Sequence, residues 1–366
     1  MLTDNTPSSA SQNRYTRDDV TFDSHGSQCA AWLYTPVSTD GRPRPVIVMA
    51  HGLGAVREFR LHEFAERFVA SGYSVLVFDY RHFGASGGHP RQLVDISRQL
   101  QDWLSALRHV RAHPEQFDLE RIAIWGSSFG GGHVMQVAAI DGNVRAVISQ
   151  CPFTDGPSSL VARIRTGFLS APVLVAAALI DQVGALLGRS PLLLPMVGTP
   201  NMPAFLAASD ALPGALALAP SDARPSARTL RNAKRIPSVA KHMPPLTSEE
   251  QVLTQTPERS ETVWGVLENA DGTVLMRNAI AARLALHIGR YRPGKALSST
   301  TIPTLVCVGT HDSVAPAKAT INHAKGLAHV TQRSYPTGHF DIYVGAWFER
   351  VATDQVAFLA QHMPAH

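Results

Sequence analysis

Arg121-Ile122-Ala123-Ile124-Trp125-Gly126-Ser127-Ser128-Phe129-Gly130-Gly131-Gly132-His133-Val134-Met135 decides the fold of this 366-residue chain. It opens as a short apolar run rich in strand-forming residues and closes as an apolar stretch able to begin a helix. Between them lies Gly126-x-Ser128-x-Gly130, the spacing of a nucleophile elbow. A strand that turns sharply into a helix strains the turn residue and holds its side chain out at the tip. The neighbours two residues away must be nearly free of side chain for strand and helix to pass so closely. The helix N-terminus then aims free N–H groups and partial positive charge at the serine oxygen. A Gly-rich strand–helix connection with an incidental serine is the bland alternative. A dinucleotide-binding turn is the other. Gly126, Gly130, Gly131 and Gly132 do not make G-x-G-x-x-G, and Val144 to Gln150 ends without the acidic residue that would hold a ribose.

Size and composition bound the rest. A chain of this length buries a large core, as one big domain or as a domain with an insertion. Hydrophobic residues at 45% and charged ones at 17% argue for a globular, fairly apolar protein. A net charge of +4 is too small to imply nucleic acid by itself. Cys29, Cys151 and Cys307 are far apart, and the last two sit in or at the end of apolar runs. Buried reduced thiols suit a cytoplasmic protein. Met1 to Arg14 is polar, without the apolar core or cleavage site of a signal peptide, and residues 1–19 are expected to form a flexible leader.

Working outward, Val20 to Phe22 and Cys29 to Tyr34 read as a hairpin turning through Ser24-His25-Gly26. Val46 to Ala50 is a continuous apolar run, as in a strand buried on both faces of a parallel sheet. It leads into His51-Gly52-Leu53-Gly54, whose glycines free a turn to bring N–H groups close to a ligand. In an elbow enzyme Leu53 supplies one oxyanion N–H from this turn and Phe129, after the nucleophile, supplies the other. His51 braces the loop. Glu58 to Ser71 is an amphipathic helix, Ser74 to Asp79 the next strand, and Tyr80 to Gly88 a glycine-rich loop. Asp79 and Arg81 are expected to pair. Leu93 to Arg111 is a long helix. His109 and His113 have a metal-like i, i+4 spacing but no H-E-x-x-H glutamate and no third ligand nearby, so they read as surface residues.

The strand–helix rhythm breaks at Cys151-Pro152-Phe153 and returns only near Ser299. Leu169 to Leu187 is the most apolar piece, but Asp181, Gln182 and Pro172 leave its uninterrupted run too short for a membrane span. A buried helix, or one lining an apolar pocket, is expected. Arg224, Arg228, Arg231, Lys234, Arg235 and Lys241 form a basic stretch without an acid. It is a solvated face or an attractor for an anionic substrate or carrier. Pro303 to Gly309 is again a buried strand, ending in Thr310-His311-Asp312-Ser313. Val330 to Tyr335 follows, then Gly338-His339-Phe340-Asp341, and Ala346 to Gln361 closes the chain as a helix.

Three sheet-end loops thus carry Ser128, Asp312 and His339. Parallel strands with right-handed crossovers put such loops at one end of the sheet. A serine hydroxyl needs a base at neutral pH. Histidine can take and return its proton, and a buried carboxylate fixes the histidine tautomer. With these motifs the chain resembles the α/β-hydrolase superfamily, and within it bacterial serine esterases with a large cap after the sixth strand. The match covers roughly 20–152 and 300–362. The resemblance implies Ser128 as nucleophile, Asp312 as acid and His339 as base. The elbow serine argues against the dehalogenases and epoxide hydrolases of this fold. Asp341, two residues past the histidine, reads as structural.

The expectation is an α/β fold: a mostly parallel sheet flanked by helices, core 20–152 and 300–366, with a mainly helical cap over 153–299. The expected activity is hydrolysis of a carboxylic ester or lactone through an acyl-enzyme, without metal or organic cofactor. The substrate is a small molecule, apolar and medium to large; no nucleic acid and no membrane span are expected, and a homo-oligomer stays open. A thioesterase or acyltransferase on an anionic acyl carrier is the alternative within enzymes, amide or peptide hydrolysis a further one. Outside them stands a silent binding protein using the capped pocket.

Overall fold

The computed structural model describes residues 15–37, 41–226 and 265–365. The strands Tyr15–Ser24 (β1), Ser27–Pro36 (β2), Arg44–Ala50 (β3), Ser74–Phe78 (β4), Phe117–Ser127 (β5), Ala146–Gln150 (β6), Thr304–Gly309 (β7) and Val330–Tyr335 (β8) form one sheet. Their order across it is β1-β2-β4-β3-β5-β6-β7-β8. The β1–β2 hairpin is antiparallel, as is its junction with β4; the strands from β4 to β8 are parallel. Residues 46–50 and 75–78 are buried throughout, because helices cover both faces of a parallel sheet. The helices Leu61–Ala70 (α1) and Gly345–His362 (α8) pack against one another, as do Ile96–Arg111 (α2) and Phe129–Asp141 (α3), and Ala317–Ala324 (α7) lies between β7 and β8.

β1 begins at Tyr15, so the chain is already paired through Asp19, five residues inside the expected 1–19 leader. Arg17, Asp18 and Asp19 sit on an exposed edge strand, where no apolar alternation announces the pairing. Residues 1–14 lie outside the described residues.

Between β6 and β7 the chain leaves the sheet. Its described part holds the helices Gly156–Thr166 (α4), Ala171–Leu186 (α5) and Ala211–Ala217 (α6), with short strands between and after them that form three small sheets. Of the basic stretch, Arg224 begins a two-residue strand. Arg228, Arg231, Lys234, Arg235 and Lys241 lie outside the described residues.

Two expectations are corrected here. α5 is not a buried helix. Leu174, Ala177, Ala178 and Asp181 face inward, while Val173, Leu179, Ile180, Val183 and Leu186 are exposed. Asp181 accepts hydrogen bonds from Arg283 Nε at 2.8 Å, Arg283 Nη2 at 2.9 Å and the Leu192 N–H at 2.8 Å, which anchors the inner face. Burial alone would raise its pKa, but these donors hold it below the usual carboxylate value. No helix among the described residues is long and apolar enough to cross a membrane. Likewise, Asp79 and Arg81 do not pair. Arg81 Nε donates to Asp102 Oδ1 at 2.6 Å on α2, and its Nη2 to Ser24 Oγ at 2.9 Å. Asp79 turns the other way, toward Arg57.

His109 and His113 are half-buried rather than on the surface. The His109 ring lies 5.9 Å from the Phe22 ring and 4.7 Å from that of His113. Cys29, Cys151 and Cys307 are buried free thiols, and burial pushes Cys151 and Cys307 up to about 12.

Candidate active site

The site is assembled where β3, β5, β7 and β8 end. β5 runs into α3 with Ser128 between them at φ 56°, ψ −116°, a strained backbone for a residue with a Cβ. Close approach explains the glycines around it. A Cβ on Gly126 would stand 2.1 Å from Gly130 O, and one on Gly52 would stand 2.8 Å from Ser128 Cβ. The strain is held from three sides. The Ser128 N–H donates to Gln150 O at 2.9 Å, and Ser128 O accepts from Phe153 N at 2.9 Å and Gly132 N at 3.2 Å.

Ser128 Oγ lies 3.0 Å from His339 Nε2, and His339 Nδ1 lies 2.6 Å from Asp312 Oδ2. A neutral imidazole that gives its Nδ1–H to the carboxylate leaves Nε2 to accept from the serine hydroxyl. The side chains of His339 and Asp312 are 3% and 2% exposed, so the charge-assisted bond between them is shielded from water. The other Asp312 oxygen accepts from the Val314 N–H at 2.8 Å and the Ala315 N–H at 2.6 Å. Asp341 does different work: its Oδ2 accepts the Gly338 N–H at 2.8 Å and shapes the turn that carries His339. The structure therefore brings Ser128, Asp312 and His339 together and leaves Asp341 outside that chain of hydrogen bonds.

Phe129 is the first residue of α3, so its N–H has no acceptor within the helix. Leu53 lies in the loop that presses on Ser128 through Gly52, and its N–H donates to no described residue. Both residues are buried. His51 holds this loop: its Nδ1 donates to Gly52 O at 2.9 Å, and its ring packs edge-on against Tyr80 at 4.8 Å. Burial lowers the His51 pKa to about 4, so it stays neutral.

Sequence reading missed three supports. Asp79, fully buried, accepts the Arg57 N–H at 2.8 Å and the Ala85 N–H at 3.2 Å, and so ties the loop after β3 to the loop after β4. Burial raises its carboxyl pKa against the pull of Arg57. Behind Phe129, His133 Nδ1 meets Tyr291 Oη at 2.8 Å and Nε2 meets Gln99 Oε1 at 2.9 Å, with burial pushing this imidazole down to about 3. From the insertion, Asp210 Oδ1 accepts from Ser313 Oγ at 2.5 Å, next to Asp312. A histidine on an apolar helix face was the only legible signal among these.

A cavity of about 190 Å³ opens beside the loop after β3, lined by Gly54, Val56, Phe83, Gln92, Met276, Arg91 and Arg277 among others. Among the described residues no group of three or more His, Cys, Asp or Glu is placed to hold a metal ion.

A parallel sheet with a strained serine at a strand–helix turn, and a histidine and a carboxylate on later strand ends, defines the α/β-hydrolase class. The family described as "Serine aminopeptidase, S33" matches residues 41–184. The chain is 42% identical over 346 residues to the quorum-quenching protein AidA of Acinetobacter baumannii strain MDR-ZJ06, covering 94% of this chain and 95% of that one. It is 42% identical over 111 residues to the thiohydrolase aneE of Aspergillus aculeatus, 30% of this chain and 35% of the other. Among solved structures, the α/β hydrolase GrgF from Penicillium sp. sh18 superposes with a TM-score of 0.65 at 20% identity, over 95% of this chain and 99% of that one. The chain belongs to the α/β-hydrolase superfamily, and its general class is that of a hydrolase.

Proposed function

We propose that the chain hydrolyses a carboxylic ester or lactone through an acyl-enzyme on Ser128. The observation that carries this reading is the run of short contacts from Ser128 Oγ through His339 to Asp312, 3.0 Å and 2.6 Å. Ser128 Oγ attacks the carbonyl carbon while its proton passes to His339 Nε2. The Asp312 carboxylate stabilises the imidazolium, and the N–H groups of Leu53 and Phe129 hold the oxyanion. The C–O bond breaks as His339 returns the proton to the leaving alkoxide. A water then attacks the acyl carbon, with His339 taking its proton, and Ser128 is released. In a lactone the leaving hydroxyl stays attached to the acyl group.

The insertion, roughly 153–299, acts as a cap that sets substrate choice. Its contacts with the site support this: Asp210 on Ser313, and Met196 and Ile280 against Gly54. An enclosed apolar pocket favours longer acyl chains, by about 0.8 kcal/mol for each methylene buried. A neutral ester series of increasing chain length tests this. The kcat/KM should rise along the series and change little with salt. Acetate esters turned over best would remove the apolar-pocket reading.

A second reading, thioester cleavage or acyl transfer from an anionic carrier, is favoured by Arg91 and Arg277 in the cavity beside Gly54. Two matched relatives are named thiohydrolases. Under that reading kcat/KM falls steeply with ionic strength and drops on Arg277→Gln.

A further inference from the structure

The outer face of α5 has no partner among the described residues. Val173 is 49% exposed, Leu179 53%, Ile180 64%, Val183 55% and Leu186 79%. Ala176 is exposed on the same side. Ordinary surface helices are polar here, and the inner face of α5 is already spent on the protein's own packing through Leu174, Ala178 and the Asp181–Arg283 pair. A contiguous apolar face of this size marks an interaction surface.

We infer that a second copy of this chain covers it, α5 against α5, antiparallel about a two-fold axis. Three features choose this occupant. Apart from Val175, whose counterpart Gly184 is half-buried, the exposed set is symmetric about the point between Leu179 and Ile180: reversal exchanges Val173 with Leu186, Ala176 with Val183, and Leu179 with Ile180. An isologous interface requires such self-complementarity, because each residue meets its exchange partner on the other copy. The small Ala176 falls opposite a branched Val183, which lets the helices approach. The face also carries no charge, since Asp181 points inward, so pairing it with itself brings no like charges together. Lastly, Val175 and Leu187, 51% and 64% exposed, extend the face to seven large apolar side chains, the scale of the apolar centre in an interface of roughly 800 Å² per partner. A helix lying on a membrane would instead carry lysines and arginines beside its apolar stripe, and α5 has none.

Sedimentation equilibrium of the full chain at about 50 μM tests the inference. The expected particle is twice the 39.5 kDa chain mass. Ile180→Glu and Ile180→Lys should each sediment as monomers with an unchanged native circular dichroism spectrum and a somewhat lower Tm, because association stabilises the folded chain. Leu186→Lys, at a still more exposed position, should weaken the dimer as well. An equimolar mixture of the Glu and Lys variants should dimerise again, because position 180 borders the axis and so comes near its own copy as well as Leu179 of the other chain. A wild-type monomer overturns the inference, as does a dimer that survives all three substitutions or a Glu/Lys mixture that stays monomeric. A wild-type monomer that floats with phosphatidylcholine vesicles would assign the face to lipid and overturn it equally.

Discussion

Ser127 and Ser128 are consecutive, yet their hydroxyls serve opposite sides of one strand end. Ser128 Oγ faces His339 Nε2 at 3.0 Å. Ser127 Oγ points into the core, where it bonds Tyr343 Oη and lies 3.6 Å from Cys151 Sγ. Strand geometry sends successive side chains to opposite faces, and the strained turn at Ser128 completes the separation. Ser127→Ala should therefore cost about 1 kcal/mol of stability, read from denaturant unfolding, and leave turnover within a few-fold. A loss of turnover equal to that of Ser128→Ala would show that the wrong serine has been chosen.

The two nearby aspartates should separate as cleanly. Asp312→Asn offers His339 an amide that favours the wrong tautomer, so kcat should fall by about 10⁴. Asp341→Asn removes only the acceptor for the Gly338 N–H, and kcat should fall by roughly ten-fold or less. Steady-state kinetics on one ester decides between them; the reverse ranking would move the acid to Asp341.

Gly52→Ala inserts a methyl 2.8 Å from Ser128 Cβ. The loop must shift, and with it the Leu53 N–H. Losing one oxyanion donor costs about 10²–10³ in kcat, which is the expected loss here. Fluorescence unfolding should show a folded protein. Full activity in a folded variant would place the oxyanion elsewhere.

Acid should destabilise the fold through two buried imidazoles. Burial lowers His51 to about 4 and His133 to about 3. Between the unfolded value near 6.5 and those folded values, the unfolded chain binds protons that the folded one cannot. Stability is thus intact above about pH 6.5 and declines as pH falls toward 4, by about 3 kcal/mol for His51 alone. Urea midpoints from pH 7 to 4.5 measure this, and His133→Gln should flatten the decline. An unchanged slope in that variant would remove His133 from the account.

Much of the parallel sheet was legible because its strands are short apolar runs ending in glycine-bearing loops. Val46–Ala50 and Pro303–Gly309 announce themselves, and Ser128, Asp312 and His339 follow such runs in order. The edge strand at Tyr15 was illegible because one of its faces is solvated and charged. The partners of Asp79 and Arg81 were illegible for another reason. Arg57 lies 22 residues before Asp79, and Asp102 lies 21 residues after Arg81. Only the three-dimensional crossing of loops brings each pair together. α5 reads as buried because its sequence is apolar nearly all round, and sequence alone does not distinguish burial in one chain from burial between two.

The central claim is that Ser128 forms the acyl-enzyme. Labelling the full chain with a fluorophosphonate and locating the adduct by tandem mass spectrometry of the peptide spanning Gly126 to Gly130 tests it most directly. The account predicts one phosphonyl group on Ser128, labelling abolished by Ser128→Ala and strongly slowed by His339→Ala. An adduct on Ser127, or labelling that persists in Ser128→Ala, would contradict it.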